Sequence, residues 1–148
     1  MPTQFMKLGF EDRVIREDGF HNIELNGKRV GFQLDIRINY YRGFSLSNVD
    51  RLELKINGEQ IPNHLMLLEL NGKQFSLDQL KEVYTEYWGI KQAAHLRVFN
   101  YGYDPGEYDV ELTLVFKSPY MMFAPGVFGM IDSSAKKQMI IGEGREFA

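Results

Sequence analysis

The chain has 148 residues, of which 44% are hydrophobic and 25% are charged, and its formal net charge is −3. One domain is expected at this length, with a core large enough to need no covalent staples. No stretch concentrates Lys and Arg, the nearest being the pair Lys136 and Lys137, which argues against nucleic acid and anionic membranes as partners. The chain has no cysteine, which excludes disulfides and thiolate metal sites.

No targeting or membrane-spanning segment is predicted. The N-terminal residues lack the apolar region of a secretory signal. The longest apolar stretch, residues 120–131, is broken by Pro125, Gly126 and Gly129. It is also shorter than the roughly 20 residues that a membrane helix needs. We therefore expect a cytoplasmic protein.

Alternating apolar and polar residues predict a long strand over residues 30–40. A period of two places one set of side chains on the core face and the other on the solvent face. The set expected to face the core is Val30, Phe32, Leu34, Ile36, Ile38 and Tyr40. The same alternation predicts strands over residues 51–56 and 107–116.

Asn-Gly pairs separate these strands. They begin at Asn26, Asn57 and Asn71. Both central residues of a type I′ turn need a positive φ, which Asn tolerates and Gly accepts freely. Three tight hairpins are therefore predicted, and the sequence around Pro105 predicts a further turn because proline fixes φ.

A short α-helix is predicted near residues 77–88. Ser76 and Gln79 have the spacing of a capping box at its start. An apolar stripe at helical spacing follows, consisting of Leu77, Leu80, Tyr84, Tyr87 and Trp88. Gly89 is predicted to end the helix in a left-handed conformation.

Many short strands, tight turns and one helix predict a mainly β protein. The expected architecture is a single antiparallel β-sandwich over residues 1–148, jelly-roll-like, with an irregular apolar C-terminal segment near residues 119–131. A barrel remains an alternative, because periodicity does not determine how the sheets close.

The residues that could carry chemistry form no recognisable motif. His21, His64 and His95 belong to no metal-binding spacing, and we interpret them as structural or surface histidines. The nucleophile motif G-x-S-x-G is absent, and the carboxylates are scattered along solvent faces. We therefore predict no catalytic, cofactor-binding or metal site on this chain. A single-chain metal enzyme would require the three histidines to converge.

Three features are candidates for contact with a partner: the strand end at residues 40–43, the end of the predicted helix, and the apolar segment at residues 119–131. Tyr and Arg are common interface anchors, and Met adapts to irregular surfaces. The alternatives are a plain strand end, a stripe that packs on a sheet (the favoured interpretation for the helix), and a C-terminal wrap over the core. The candidate residues are Tyr40, Tyr41, Arg42, Tyr87, Trp88, Tyr120, Met121, Met122, Phe123 and Phe128.

Five stretches of the chain, in this order and spacing, resemble the small (β) subunit family of the C-glycoside deglycosidases. They are residues 36–43, which end in Tyr-Tyr-Arg-Gly, residues 52–59, residues 77–82 with Tyr84, Glu86, Tyr87 and Trp88, residues 105–112, and residues 119–121. Asn39 stands where that family usually has Pro.

The resemblance implies a non-catalytic subunit of a heteromeric carbon–carbon lyase. Its large (α) subunit is expected to be a sugar-isomerase-type barrel that holds a divalent metal, with manganese expected. The implied substrate is a C-glycoside already oxidised to a 3-oxo sugar. A base removes the proton that the ketone acidifies, and the bond to the aglycone then breaks. The resemblance places base and metal on the large subunit.

A stand-alone carbohydrate-binding β-sandwich is the alternative from a different functional class. Its exposed aromatic side chains would stack on sugar rings. The two interpretations differ in whether Tyr41, Tyr87 and Trp88 are covered by protein or open to solvent.

Overall fold

A computed structural model describes residues 4–7, 14–38, 42–124 and 127–147. These residues are mainly β-strand, with short 3₁₀ helices at Leu46–Asn48, Asn63–Leu65 and Leu77–Glu82. The strands are β1 Gln4–Lys7, β2 Ile15–Leu25, β3 Lys28–Ile36, β4 Phe44–Ser45, β5 Val49–Ile56, β6 Glu59–Gln60, β7 Met66–Leu70, β8 Lys73–Ser76, β9 Tyr87–Trp88, β10 Ala94–Val98, β11 Glu107–Ala124, β12 Val127–Asp132, β13 Ala135–Ile140 and β14 Gly142–Glu146.

Two six-stranded sheets enclose one core. The first sheet has the order β1-β12-β11-β5-β6, with β13 also paired to β11, and the second has the order β14-β2-β3-β10-β7-β8. Most pairs are antiparallel, whereas β1–β12 and β14–β2 are parallel. Leu54 and Leu112 of the first sheet and Leu34 and Leu96 of the second belong to one buried cluster. The predicted antiparallel β-sandwich is confirmed.

The predicted strands are confirmed, with shifted boundaries. Residues 30–40 correspond to β3, in which Phe32, Leu34 and Ile36 are completely buried. Ile38 is still buried after the strand has ended, and Tyr40 lies outside the described residues. Residues 51–56 and 107–116 fall within β5 and β11.

The three Asn-Gly hairpin turns are also confirmed. The φ angles of Asn26, Asn57 and Asn71 are 53°, 52° and 56°, and the following glycines have φ between 76° and 80°. These turns connect β2 to β3, β5 to β6, and β7 to β8. Positive φ at both central residues is the geometry that the Asn-Gly pair predicts.

The prediction of an α-helix near residues 77–88 is wrong, although a helical turn does begin where it was expected. The capping box of Ser76 and Gln79 forms, but the helix is 3₁₀ and covers Leu77–Glu82. The carbonyls of Val83 and Glu86 accept hydrogen bonds from the amides of Ser47 (2.9 Å) and Leu46 (3.0 Å). Tertiary partners therefore replace the helical ones, and Tyr87–Trp88 becomes strand β9.

The C-terminal segment predicted as irregular lies largely in strands. Residues 119–124 continue β11, and residues 127–131 belong to β12. The register of this pair shifts between Ser118 and Met122 and again between Met122 and Ala124. A bulge interrupts the pairing by one residue, so a clean period of two is not expected in such a sequence.

Candidate partner-binding surface

A ring stack around Phe44 forms the base of the candidate surface. The ring centroids of Phe44 and Phe116 are 4.1 Å apart, and those of Phe44 and Trp88 are 6.0 Å apart. All three side chains are buried. Phe44 pairs with Trp88 across the short β4–β9 ribbon, which connects residues far apart in sequence. The base therefore joins β4, β9 and β11 through one buried cluster of rings.

The β4–β9 ribbon brings the strand end at residues 40–43 close to Tyr87 and Trp88, two of the regions predicted to contact a partner. A Cβ atom on Gly43 would lie 2.5 Å from the Trp88 carbonyl oxygen and 2.7 Å from Cε1 of Tyr87. The Tyr87 ring therefore lies directly against the Gly43 backbone, and the end of the Tyr-Tyr-Arg-Gly stretch meets β9. Arg42 beside it is exposed. The candidates Tyr40 and Tyr41 lie outside the described residues.

The burial of Trp88 removes it from the candidates for partner contact. Its side chain has no exposed surface, and its Nε1 donates a hydrogen bond to the Gln92 carbonyl at 2.9 Å. Packing on the core, which the sequence analysis favours for the aromatic stripe, is correct for this residue. The reason is that strand geometry points Trp88 and Tyr87 to opposite sides.

Three apolar side chains near the ribbon are open to solvent. Tyr84 is 74% exposed, Tyr87 is 54% exposed and Ile90 is 43% exposed. Sequence reasoning placed Tyr84 on a core-facing helical stripe and did not identify Ile90. With Arg42, these residues form a surface that we call the aromatic end, consisting of Arg42, Tyr84, Tyr87 and Ile90.

A buried carboxylate anchors the segment that carries the aromatic end. Glu86 accepts hydrogen bonds from Lys73 Nζ (2.5 Å) and Asn71 Nδ2 (3.2 Å). These bonds lower the pKa of Glu86. The Gln92 side chain also donates to Asn71. The segment is thereby tied to the β7–β8 hairpin, which holds the exposed rings on a fixed backbone.

The third predicted region, residues 119–131, belongs to strands that extend from the same end of the sandwich. Val49, the first residue of β5, pairs with Phe116, so β11 continues beyond β5 on the side where Phe44 lies. The backbone of residues 120–123 lies in this extension, and that of Phe128 lies in β12. A surface cavity of about 210 Å³ at its base is lined by Ser47, Asn48, Val49, Asp50, Lys81, Lys117 and Met130.

The histidines do not converge on a metal site. His64 is exposed in the 3₁₀ helix Asn63–Leu65, whereas His21 and His95 lie on the second sheet. Across residues 4–7, 14–38, 42–124 and 127–147, no group of three or more His, Cys, Asp or Glu side chains could hold a metal ion. In the same part of the chain, no helix is both long and apolar enough to span a membrane.

Comparison with known proteins identifies the class to which this β-sandwich belongs. The sequence profile of the C-glycoside deglycosidase beta subunit family matches residues 10–120. The chain therefore belongs to this family, and the resemblance noted in its sequence is confirmed.

Individual relatives agree with this assignment. The chain is 30% identical to a C-glycoside deglycosidase beta subunit of Eubacterium cellulosolvens, over 75% of this chain and 77% of the relative. It is 28% identical to the protein of that name from Arthrobacter globiformis, over 72% and 82% of the two chains. It is 23% identical to a 3'-dehydrocarminate deglycosidase beta subunit of a Microbacterium species, over 86% and 93%.

Proposed function

We propose that this chain is the non-catalytic small subunit of a heteromeric C-glycoside deglycosidase. The match of residues 10–120 to the beta subunit family carries the proposal. A protein of this class has a partner subunit, and we assign the chemistry to that partner. The reaction would be cleavage of the carbon–carbon bond between a 3-oxo sugar and its aglycone.

The large subunit would supply the base and a divalent metal, with manganese expected. The described residues of this chain do not fit a resident metal, because they offer no convergent set of ligands. No reaction step is therefore assigned to a metal on this chain. Its role in the proposal is to stabilise the large subunit and to shape the wall of the pocket.

We further propose that the aromatic end contacts the large subunit. Tyr84, Tyr87 and Ile90 are exposed within seven residues of sequence, and Arg42 lies beside them. Tyr and Arg are the residues that most often anchor interfaces. Asn71 donates hydrogen bonds to the Glu86 side chain and to the Tyr87 carbonyl, and Lys73 donates to Glu86, so this segment is already ordered and little entropy would be lost on binding. The extension of β11 and β12, with residues 120–123 and Phe128, would continue the contact.

Pull-down of the tagged full chain from its host, with mass spectrometry of what co-purifies, tests the proposal. The expected result is a stoichiometric isomerase-like partner, and C-deglycosylation only when both chains are present. A monomer that binds sugars without any partner would overturn the proposal and support the carbohydrate-binding alternative. The burial of Trp88 already removes one of the three rings on which that alternative relies.

A further inference from the structure

Strand β14, Gly142–Glu146, forms one end of the second sheet, and its outer edge is open. The strand pairs with β2 in parallel on one side, and it is the first strand in the order β14-β2-β3-β10-β7-β8. All five of its residues are exposed. An exposed edge of this kind offers backbone N–H and C=O groups with which another extended chain can pair.

Two sets of hydrogen bonds hold β14 on the sheet. The Phe147 amide donates to the Glu24 carbonyl at 2.6 Å. The Glu146 carboxylate accepts hydrogen bonds from the amides of Asn26 (2.5 Å) and Gly27 (3.4 Å), in the turn that connects β2 to β3. Because the backbone groups of successive residues point to alternate sides of a strand, Glu146 directs its own N–H and C=O to the open edge.

Two charged side chains of β14 have opposite signs and lie two residues apart. Residues at this spacing share one face of a strand, which places Glu143 and Arg145 side by side. Both are exposed. No hydrogen bond or ion pair joins either side chain to another residue in the part of the chain that the structure describes. Both charges are therefore available to a partner.

The order of these two charges makes β14 complementary to a second copy of itself. In an antiparallel pair related by a two-fold axis, each contact occurs twice, with the two residues exchanged between the copies. If the axis passes through Gly144, then Glu143 of each copy faces Arg145 of the other. Two pairs of opposite charge form, and such cross-strand pairs stabilise a sheet. Gly144 has no side chain that would crowd its counterpart at the axis.

No neighbouring register gives this match. An axis through Glu143, or through Arg145, would place like charges opposite each other, which destabilises a strand pair. An axis between Gly144 and Arg145 would bring Glu143 opposite Glu146. An axis between Glu143 and Gly144 would leave Arg145 opposite Gly142. The charges therefore select one register for the pair.

The other described strands that end a sheet lack this pattern. β1 and β8 each carry one lysine and no acidic residue, and β6 carries one glutamate and no basic residue. Charges on an edge strand discourage pairing when nothing opposite neutralises them. Among these described end strands, β14 is thus the one whose charges favour pairing with a second copy.

We propose that β14 pairs antiparallel with β14 of a second copy, so that this chain forms a two-fold symmetric dimer with one continuous second sheet. The contact involves five residues from each chain, so a weak, concentration-dependent dimer is expected. β14 shares no residue with the aromatic end. In the proposed enzyme the pairing would bring two small subunits together, but the pairing itself does not depend on the large subunit.

Sedimentation equilibrium of the full-length chain, from about 1 μM to about 1 mM, tests the proposal. We expect a reversible equilibrium between monomer and dimer in this range. Arg145→Glu places two glutamates opposite each other in both pairs and should weaken the dimer by about tenfold or more. Glu143→Arg should weaken it similarly, whereas the double variant Glu143→Arg/Arg145→Glu exchanges the charges and should restore the dimer. Lys91→Glu, at an exposed turn, makes the same change in net charge and should have no effect.

The proposal is overturned by a chain that stays monomeric over the whole range, or by a double variant as weak as the single ones. Amide shifts of the ¹⁵N-labelled chain, followed with concentration, should fall on residues 142–146, and shifts confined to another surface would also overturn it. Thermal unfolding checks that the variants fold. Because the chain is tested without its partner, a failure of the proposed function, seen as the absence of a co-purifying subunit, is distinguishable from a failure of this dimer.

Discussion

The ring of Tyr87 lies directly against the backbone of Gly43, so closely that no side chain fits between them. A Cβ atom on Gly43 would be 2.7 Å from the ring and 2.5 Å from the Trp88 carbonyl oxygen. This contact joins the Tyr-Tyr-Arg-Gly stretch to β9. It explains the glycine there by close packing, not by a need for a positive φ.

Gly43→Ala is therefore expected to destabilise the fold by about 1–3 kcal/mol, because a backbone carbonyl and an aromatic ring must both move. Gly89→Ala is the matched control. Its added Cβ would meet only the Gln92 side chain, at 3.8 Å. Urea unfolding of the two variants measures the difference. Equal stabilities would contradict the tight contact at Gly43.

Trp88 and Tyr84 are expected to differ sharply in their effect on stability. Trp88→Ala should cost about 3–5 kcal/mol, because it removes a completely buried ring from the stack with Phe44 and leaves the Gln92 carbonyl without its donor. Tyr84→Ala should change the free energy of unfolding by less than about 0.5 kcal/mol, since the side chain is 74% exposed. Guanidinium unfolding of both variants measures the two changes in the free energy of unfolding. A loss of less than about 1 kcal/mol in Trp88→Ala would show that the ring is not part of the core.

Binding of the large subunit should be sensitive to the aromatic end and insensitive to the opposite end. Tyr84→Ala and Tyr87→Ala are each expected to weaken binding by more than about 1 kcal/mol. Tyr101→Ala is the control, because Tyr101 is 77% exposed and follows β10 at the far end of the sheet. Calorimetry or surface plasmon resonance with the purified partner gives the affinities. If Tyr101→Ala is the damaging variant, the interface lies at the other end.

The pH dependence of stability should reveal the pairing of His95 with Asp35. The hydrogen bond to Asp35 raises the pKa of His95 in the folded chain. His95 therefore contributes stability that is fully present below about pH 6.5, its unfolded pKa, and is lost as the pH rises through the folded pKa. His95→Gln should lower the free energy of unfolding most at acidic pH, with the deficit narrowing as the pH rises.

His21 should act in the opposite direction. Burial lowers the pKa of His21, so folding favours its neutral form. Its presence therefore costs stability as the pH falls below about 6.5. Unfolding measured from pH 5 to 8 for His95→Gln and His21→Gln separates the two effects, with His64→Gln at an exposed position as the control. Parallel pH profiles for all three variants would show that neither the burial of His21 nor the bond between His95 and Asp35 affects the pH dependence of stability.

The sequence by itself determined the local structure of this protein. The alternation in residues 30–40 fixed which side chains of β3 reach the core, because successive side chains of a strand point to opposite faces. Asn57 and Gly58 fixed their hairpin, because few residues accept two consecutive positive φ angles. The sequence also indicated the family, because five short stretches that resemble it occur in the family's order along the chain.

Only the tertiary structure decided what depends on contacts distant in sequence. The segment after Glu82 has a helical pattern, yet its carbonyls bond the amides of Leu46 and Ser47, and it becomes a strand. His21 and Arg97 are ordinary polar positions in the sequence, and strand pairing places them on either side of Gln33 in the second sheet. The pattern of apolar residues shows the period of one segment. Which strands pair, and in which register, depends on the free energy of contacts across both sheets, and these contacts join residues far apart in the sequence.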